Sequence, residues 1–205
     1  MSALADPAPH HILRGFLGEE MVGRLLDLAR AREADFSESG VGDKQRRIDL
    51  ATRRSRLLRD FGDLEGELRP RFAAAADIGI RELRVTPFEV VPMTLDLVAH
   101  GDGAFYRRHT DIFSNAAERK TNRALSGVYY FHAEPKGFAG GALRLHPLLP
   151  GVAEGRYVDI PPERDTLVLF PSWAQHEVMP VSVPSGEFMK SRFAINCWYH
   201  FRQGA

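Results

Sequence analysis

The sequence predicts an α+β fold, with helices first and a β-sandwich or jelly roll after them, on three observations. Apolar residues recur at helical spacing only ahead of Pro87. Beyond it the chain turns into short runs of strand-type residues punctuated by Gly and Pro. Helices followed by a series of strands sort into α+β layers. Third, no internal repeat, low-complexity tract or linker divides the 205 residues, of which 44% are hydrophobic. That is enough to bury a core without staples, so one domain is expected over 1–205, with helical support and a variable loop in 1–86 and the jelly-roll core in 87–205.

The elements follow in order. The opening MSALADPAPHH has neither the basic start nor the apolar stretch of a signal peptide, and His10 and His11 are expected in a frayed end. From Gly18, GEEMVGRLLDLARARE sets Met21, Val22, Leu25, Leu26, Leu28 and Ala29 at near-helical spacing, acidic at its start and basic at its end, which suits the helix dipole. Residues 36–56 lose periodicity and read as a long loop with a short strand near Ile48. Lys44, Arg46, Arg47, Arg53, Arg54 and Arg56 make it basic, either a solvated surface or a lid over a polar or acidic substrate. A second helix is expected over Leu64 to Ala76, kinked or broken at Pro70. Strands are expected within 88–99, 124–132, 142–148, 166–170, 176–183 and 188–199.

Composition excludes several classes of function. Lys and Arg balance Asp and Glu at 27 each, so the chain as a whole carries no nucleic-acid footprint. No apolar run approaches a membrane span, and a single cysteine, Cys197, forbids an internal disulfide and suits a reducing compartment. A cytoplasmic protein is expected, with neither membrane nor nucleic acid as partner and an oligomeric state left open. Cys197 is read as a buried thiol.

The chemistry concentrates in Tyr106-Arg-Arg-His-Thr-Asp-Ile-Phe113. His109 and Asp111 stand two apart, and on extended backbone such residues share a face, so an imidazole and a carboxylate can converge on one cation. His176, from a distant strand, would complete a two-histidine, one-carboxylate triad that leaves positions free on Fe(II). With 8 His and 13 Asp the His-x-Asp pattern alone discriminates little, and His100-Gly-Asp102 and His132-Ala-Glu134 are near copies. His100 lies in a glycine-rich run that reads as a turn, poorly suited to hold ligands. His132, His146 and His200 are read as structural or exposed. Downstream, a three-residue loop at Pro184-Ser-Gly186 would place Arg192 opposite Val178, on the face carrying His176. A guanidinium there could grip a carboxylate bidentately.

The runs YRRHTDIF, RALSGVYYF, GGALRL, LVLFPSWAQHEVMPV and SRFAINCWYHF, from about Leu95 to Phe201, resemble the prolyl-hydroxylase branch of the Fe(II)/2-oxoglutarate-dependent oxygenases. The likeness is to the oxygen-sensing prolyl hydroxylases and their small bacterial relatives. It implies a double-stranded β-helix, that is, a jelly roll supported by N-terminal α-helices. It assigns His109, Asp111 and His176 to the metal as the catalytic centre, and Arg192 to the distal carboxylate of 2-oxoglutarate. Tyr130, Leu143 and Trp198 match residues lining the cosubstrate pocket, and Arg123 one at its mouth.

The same resemblance implies Fe(II), 2-oxoglutarate as cosubstrate and O2, and admits ascorbate as reductant. It implies an oxidoreductase, a dioxygenase that releases succinate and CO2 while hydroxylating an unactivated C–H bond. Asp111 favours hydroxylation, since related halogenases replace that carboxylate with a small residue. The leading substrate is a prolyl residue of a protein; the alternative is the same chemistry on a free amino acid or other small metabolite. A third reading is a cupin-like metal-binding protein without turnover. Two departures from the branch stand out: a cosubstrate tyrosine ten positions before the His-x-Asp histidine is replaced by Ala99, and the interval from His176 to Arg192 is lengthened.

Overall fold

Two β-sheets face one another, and two helices cover the outer face of the larger. The computed structural model describes residues 6–40, 47–113, 119–147 and 156–203. The N-terminal part holds β1 (His11–Arg14), α1 (Glu19–Ala31), β2 (Ser37–Glu38), β3 (Arg53–Arg54), β4 (Arg56–Leu58) and α2 (Glu65–Glu82). There follow β5 (Met93–His100), β6 (Phe105–His109), β7 (Thr121–Phe131), β8 (Ala139–Gly140), β9 (Leu143–Leu145) and β10 (Val158–Ile160). The last strands are β11 (Thr166–Pro171), β12 (His176–Val178), β13 (Val181–Ser182) and β14 (Arg192–Arg202).

The seven-stranded major sheet runs β1-β11-β7-β14-β5-β4-β2, the five-stranded minor sheet β10-β9-β12-β6-β3, and β13 pairs with β8. Every strand pairing among the described residues is antiparallel, as in a jelly roll. Alternation sorts the long strands. On β14, Phe193, Ile195, Cys197 and Tyr199 meet Met21, Leu25, Leu68 and Phe72 of the helices, while Ala194 joins Tyr130, Leu143, Leu145 and Phe170 between the sheets. Each fully buried Leu or Phe stabilises the fold by about 1.5–3 kcal/mol. Polar ties lock the helical layer down. The Asp165 carboxylate accepts the N–H groups of Leu17 (2.8 Å) and Gly18 (2.9 Å) ahead of α1 and the Tyr129 hydroxyl (2.8 Å), and the Tyr199 hydroxyl donates to the Phe72 carbonyl (2.8 Å).

Several expectations need correction. Ile48 is 62% exposed and in no strand; instead β2 and β4 extend the major sheet, and β3 forms an edge of the minor one. Strands of two or three residues carry no readable alternation, and their partners β5 and β6 lie far along the chain. Lys44 and Arg46 lie outside the described residues. The helix continues through Pro70 to Glu82. His11 is paired with Leu169, so the chain is anchored earlier than expected. The first long strand begins at Met93, directly after Pro92, which has no N–H to give a ladder.

The C-terminal hairpin is also different. Gly186 takes φ 67 and its N–H reaches the Val183 carbonyl at 2.9 Å, so the turn forms. However, β12 pairs with β6 and β9, whereas β14 pairs with β5 and β7. A 3₁₀ turn, Phe188–Lys190, lies between the loop and β14. Arg192 therefore stands opposite His100 on the major sheet, not opposite Val178. Hairpin parity holds only where both strands stay in one sheet.

Candidate active site

His109 ends β6, Asp111 follows two residues on, and His176 opens β12 directly opposite His109. Their ligand atoms all lie within 4.8 Å of one another. Asp111 faces an imidazole on each side, with Oδ1 3.7 Å from His109 Nε2 and Oδ2 3.6 Å from His176 Nε2. Both rings are aimed by backbone: His109 Nδ1 lies 2.8 Å from the Arg107 carbonyl and His176 Nδ1 2.9 Å from that of Ala174. A ring that donates from Nδ1 keeps Nε2 as its free lone pair, so both histidines offer Nε2 to a metal.

The carboxylate is held as firmly. The Ser126 hydroxyl donates to Asp111 Oδ2 at 2.7 Å and lies 2.8 Å from the Ser172 hydroxyl, while Asp111 N–H bonds the Ser172 carbonyl at 2.9 Å. Burial, with His176 beside it, pushes the His109 ring below the ordinary histidine range. Burial alone would raise Asp111, but His176, His109 and Arg123 outweigh it and hold the carboxyl below the usual carboxylate range. A neutral imidazole and an ionised carboxylate are the forms that bind metals.

Across the cavity lies Arg192, only 1% exposed. Its Nε donates to the Gly141 carbonyl at 2.7 Å, its Nη1 lies 3.2 Å from His100 Nδ1, and its guanidinium carbon is 4.8 Å from the Tyr130 ring centre. Among the described residues no carboxylate lies within ion-pair distance of it. Its Nη2 and the Tyr130 hydroxyl are both buried and have no hydrogen-bond partner among the described residues. Glycine makes the seat possible: Gly141 sits at φ 71, and a Cβ there would come within 2.6 Å of Arg192 Cδ.

One cavity is lined by His109, Asp111, His176, Arg192, Leu143 and Trp198. Tyr130 stacks beside Arg192, and Arg123 lies over the Trp198 ring at 4.1 Å with its Nη1 3.3 Å from the Asp111 carbonyl. All seven predicted site residues are thus brought together. Cys197 is buried on the opposite face of β14, its thiol pushed up by burial.

Further lining residues went unread in the sequence: His100, Arg53, Tyr106 and Asn196. Ala99, taken as the position of a missing tyrosine, faces the helical core; the cavity-facing neighbour is His100, 3% exposed, at the end of β5 rather than in a solvated turn. Burial, then the charges of Arg192 and Arg53, hold its ring well below the ordinary histidine range. Tyr106 stacks on His109 at 3.6 Å although the two are three residues apart. A register shift between β6 and β12, where Val178 pairs with Tyr106 and His176 with His109, brings them to one face.

A jelly roll that gathers two imidazoles, a carboxylate and a buried guanidinium without a counter-ion among the described residues defines a candidate mononuclear metal site with an adjoining anion seat. A family profile described as the 2OG-Fe(II) oxygenase superfamily matches residues 95–200. An uncharacterized PKHD-type hydroxylase of Synechocystis sp. is 32% identical over 198 residues, covering 94% of this chain. The chain spans 63% of that relative's length. A prolyl-4-hydroxylase of Pseudomonas putida shares the fold at TM-score 0.66 and 23% identity, over 96% of this chain and 94% of that one. So does a Trichoplax adhaerens prolyl hydroxylase solved with a hypoxia inducible factor peptide fragment, at TM-score 0.68 and 24% identity, over 95% and 84%. The chain belongs to the 2OG-Fe(II) oxygenase superfamily.

The residues present fit the cofactor and cosubstrate in that name. Two Nε2 atoms and one carboxylate suit Fe(II) with positions left open. The unpartnered Arg192 Nη2 and Tyr130 hydroxyl are donors awaiting an acidic group, as a dicarboxylate would supply. Among the described residues no helix is long and apolar enough to cross a membrane.

Proposed function

We propose that this chain is an Fe(II)- and 2-oxoglutarate-dependent dioxygenase that hydroxylates an unactivated C–H bond of a prolyl residue in a protein, releasing succinate and CO2. The observation that carries this reading is one cavity holding both the His109, Asp111 and His176 cluster and the anion-seeking Arg192. The prolyl substrate rests on likeness to prolyl hydroxylases.

In this reading His109, Asp111 and His176 hold the iron and are the catalytic residues. Iron, when bound, supplies the oxygen activation that no amino-acid side chain can. Arg192, with the Tyr130 hydroxyl beside it, holds the distal carboxylate of 2-oxoglutarate, and His100 keeps the guanidinium turned toward it. Leu143 and Trp198 wall the cosubstrate channel and limit water at the reacting groups. Ser126 fixes the carboxylate plane of Asp111.

The test is succinate formation from 2-oxoglutarate with Fe(II) and ascorbate, together with mass spectrometry of cells with and without the enzyme. A prolyl peptide that gains one oxygen only when the enzyme is present is the expected result. Absence of succinate under every substrate offered would overturn the dioxygenase reading.

A further inference from the structure

Arg53 is a second guanidinium in the cavity, and the metal and cosubstrate sites as described do not use it. It opens β3, pairs across the sheet edge with Tyr106, and is 7% exposed. Its Nε donates to the Ser55 hydroxyl at 2.9 Å, which in turn lies 2.9 Å from that of Ser39. Its guanidinium carbon sits 4.7 Å from the centre of the Tyr106 ring, which stacks at 3.6 Å on His109. Arg53 is therefore one aromatic ring removed from a metal-ligating imidazole, on the minor-sheet side of the cavity.

Its partners are the Ser55 hydroxyl and the Tyr106 ring, and among the described residues no carboxylate stands within ion-pair distance of it. Burial opposes its charge, and the fields of Tyr106, Asp96 and Asp111 oppose that effect only partly. A buried cation without a counter-ion is costly, and such a group is retained where an anionic ligand completes it.

A count of charge points to the ligand. Among the residues that line the cavity two guanidiniums stand against one carboxylate, Asp111; behind the lining, Arg123 lies 3.9 Å from Asp111 and Arg59 offsets Asp96 at 3.2 Å. Fe(II) adds two positive charges and 2-oxoglutarate two negative ones, so one positive charge remains beside the metal. The cosubstrate's distal carboxylate belongs to Arg192 and its near one to the metal, which leaves Arg53 for a different molecule.

We propose that Arg53 receives a carboxylate carried by the primary substrate, and so sets the enzyme's preference for an anionic substrate over its neutral counterpart. This rests on the oxygenase reading above. The carboxylate can belong to a free amino acid or to the end of a peptide; the geometry requires only that it sit close to the carbon presented to the metal.

The experiment is an NMR titration of the full chain loaded with Zn(II), which is diamagnetic and redox-inert, and saturated with 2-oxoglutarate. The Arg53 Nε–H signal, assigned by its loss in Arg53→Gln, is followed against acetate, L-proline and the peptide acetyl-alanyl-proline, each beside its amide. Carboxylates are expected to shift the signal saturably and to bind at least about tenfold tighter than the amides, a preference lost in Arg53→Gln and partly kept in Arg53→Lys. Tighter binding of L-proline than of the peptide identifies a free amino acid as the source; the reverse identifies a peptide terminus. Amides that bind as well as acids overturn the proposal, as does a signal that no carboxylate moves. So does an Arg53 signal fully shifted by 2-oxoglutarate alone, for then Arg53 serves the cosubstrate. The Arg192 signal in the same spectra reports 2-oxoglutarate separately, so its failure to respond would sink the oxygenase reading instead.

Discussion

On the Arg192 side the cavity wall is made of β7 and β14, eleven residues each and paired along nearly their whole length. On the His109 side it is made of β3, β6, β9 and β12, two to five residues long. The long wall is backed by α1 and α2, so its geometry is over-determined by packing on both faces. Such a wall can hold an unpartnered charge in place at a cost to stability. The short wall takes a register shift that re-aims Tyr106, and backbone carbonyls fix the direction of its two imidazoles, with Tyr106 stacked on His109 and Phe170 edge-on to His176. Rigid sheet thus seats the anion, while local irregularity shapes the metal site.

Breaking the short wall should have the largest effect. His176→Ala removes one of three ligands and is expected to lower metal affinity by more than about 100-fold, beyond what the loss of an outer hydrogen bond costs, with succinate formation falling to background. Metal content by mass spectrometry and a succinate assay check this; a variant that retains stoichiometric iron would contradict the ligand assignment.

Breaking the long wall should separate stability from binding. Arg192→Met is expected to weaken 2-oxoglutarate binding by about 2–5 kcal/mol, seen as a raised KM. The same change should stabilise the metal-free protein by about 1–4 kcal/mol, because an apolar side chain replaces a buried charge. Denaturant unfolding beside 2-oxoglutarate kinetics reads both, and a loss of stability would mean that the guanidinium is paired after all.

A smaller effect is expected where the walls meet. Ser126 lies on β7, yet its hydroxyl orients Asp111. Ser126→Ala should weaken metal binding about 10- to 100-fold while leaving the KM for 2-oxoglutarate within about twofold. Equal effects on both would show that the two sites are not separately built.

The smallest effect on the site should come from behind the long wall. Asp165 ties the start of α1 to Tyr129 through three hydrogen bonds and sits at φ 53, a conformation that Asn tolerates. Asp165→Asn is expected to cost about 1–3 kcal/mol of stability, read by urea unfolding, with metal affinity unchanged.

The two regions also differ in how far they were legible. Helix α1 was readable because its apolar residues recur every three or four positions, and the long strands because runs such as Thr166 to Phe170 are uniformly apolar. His109 and Asp111 were legible as a same-face pair because an i, i+2 spacing on extended backbone needs no tertiary information, but His100-Gly-Asp102 has the same spacing, so choosing between them and adding His176 rested on the family resemblance. Arg192 was placed in the right cavity by the wrong route, since hairpin parity assumed one sheet where there are two. His100 and Ala99 show how a single-residue offset exchanges the two faces of a strand. Arg53 was hidden in a basic segment without periodicity, and its two-residue strand exists only because β6 offers an edge.

By itself, the amino-acid sequence determined the order of helices and strands and the presence of a core, which depend on composition and local periodicity, and it set His109 and Asp111 on one face, while the resemblance to a known family supplied the choice of that pair and of His176 as its partner. Only the tertiary structure decided that Arg192 approaches from the opposing sheet, that His100 rather than its neighbour faces the cavity, and that Arg53 is buried beside Tyr106. Those facts depend on which distant strands pair and in what register, and pairing is settled by the joint burial of both sheets rather than by any one segment.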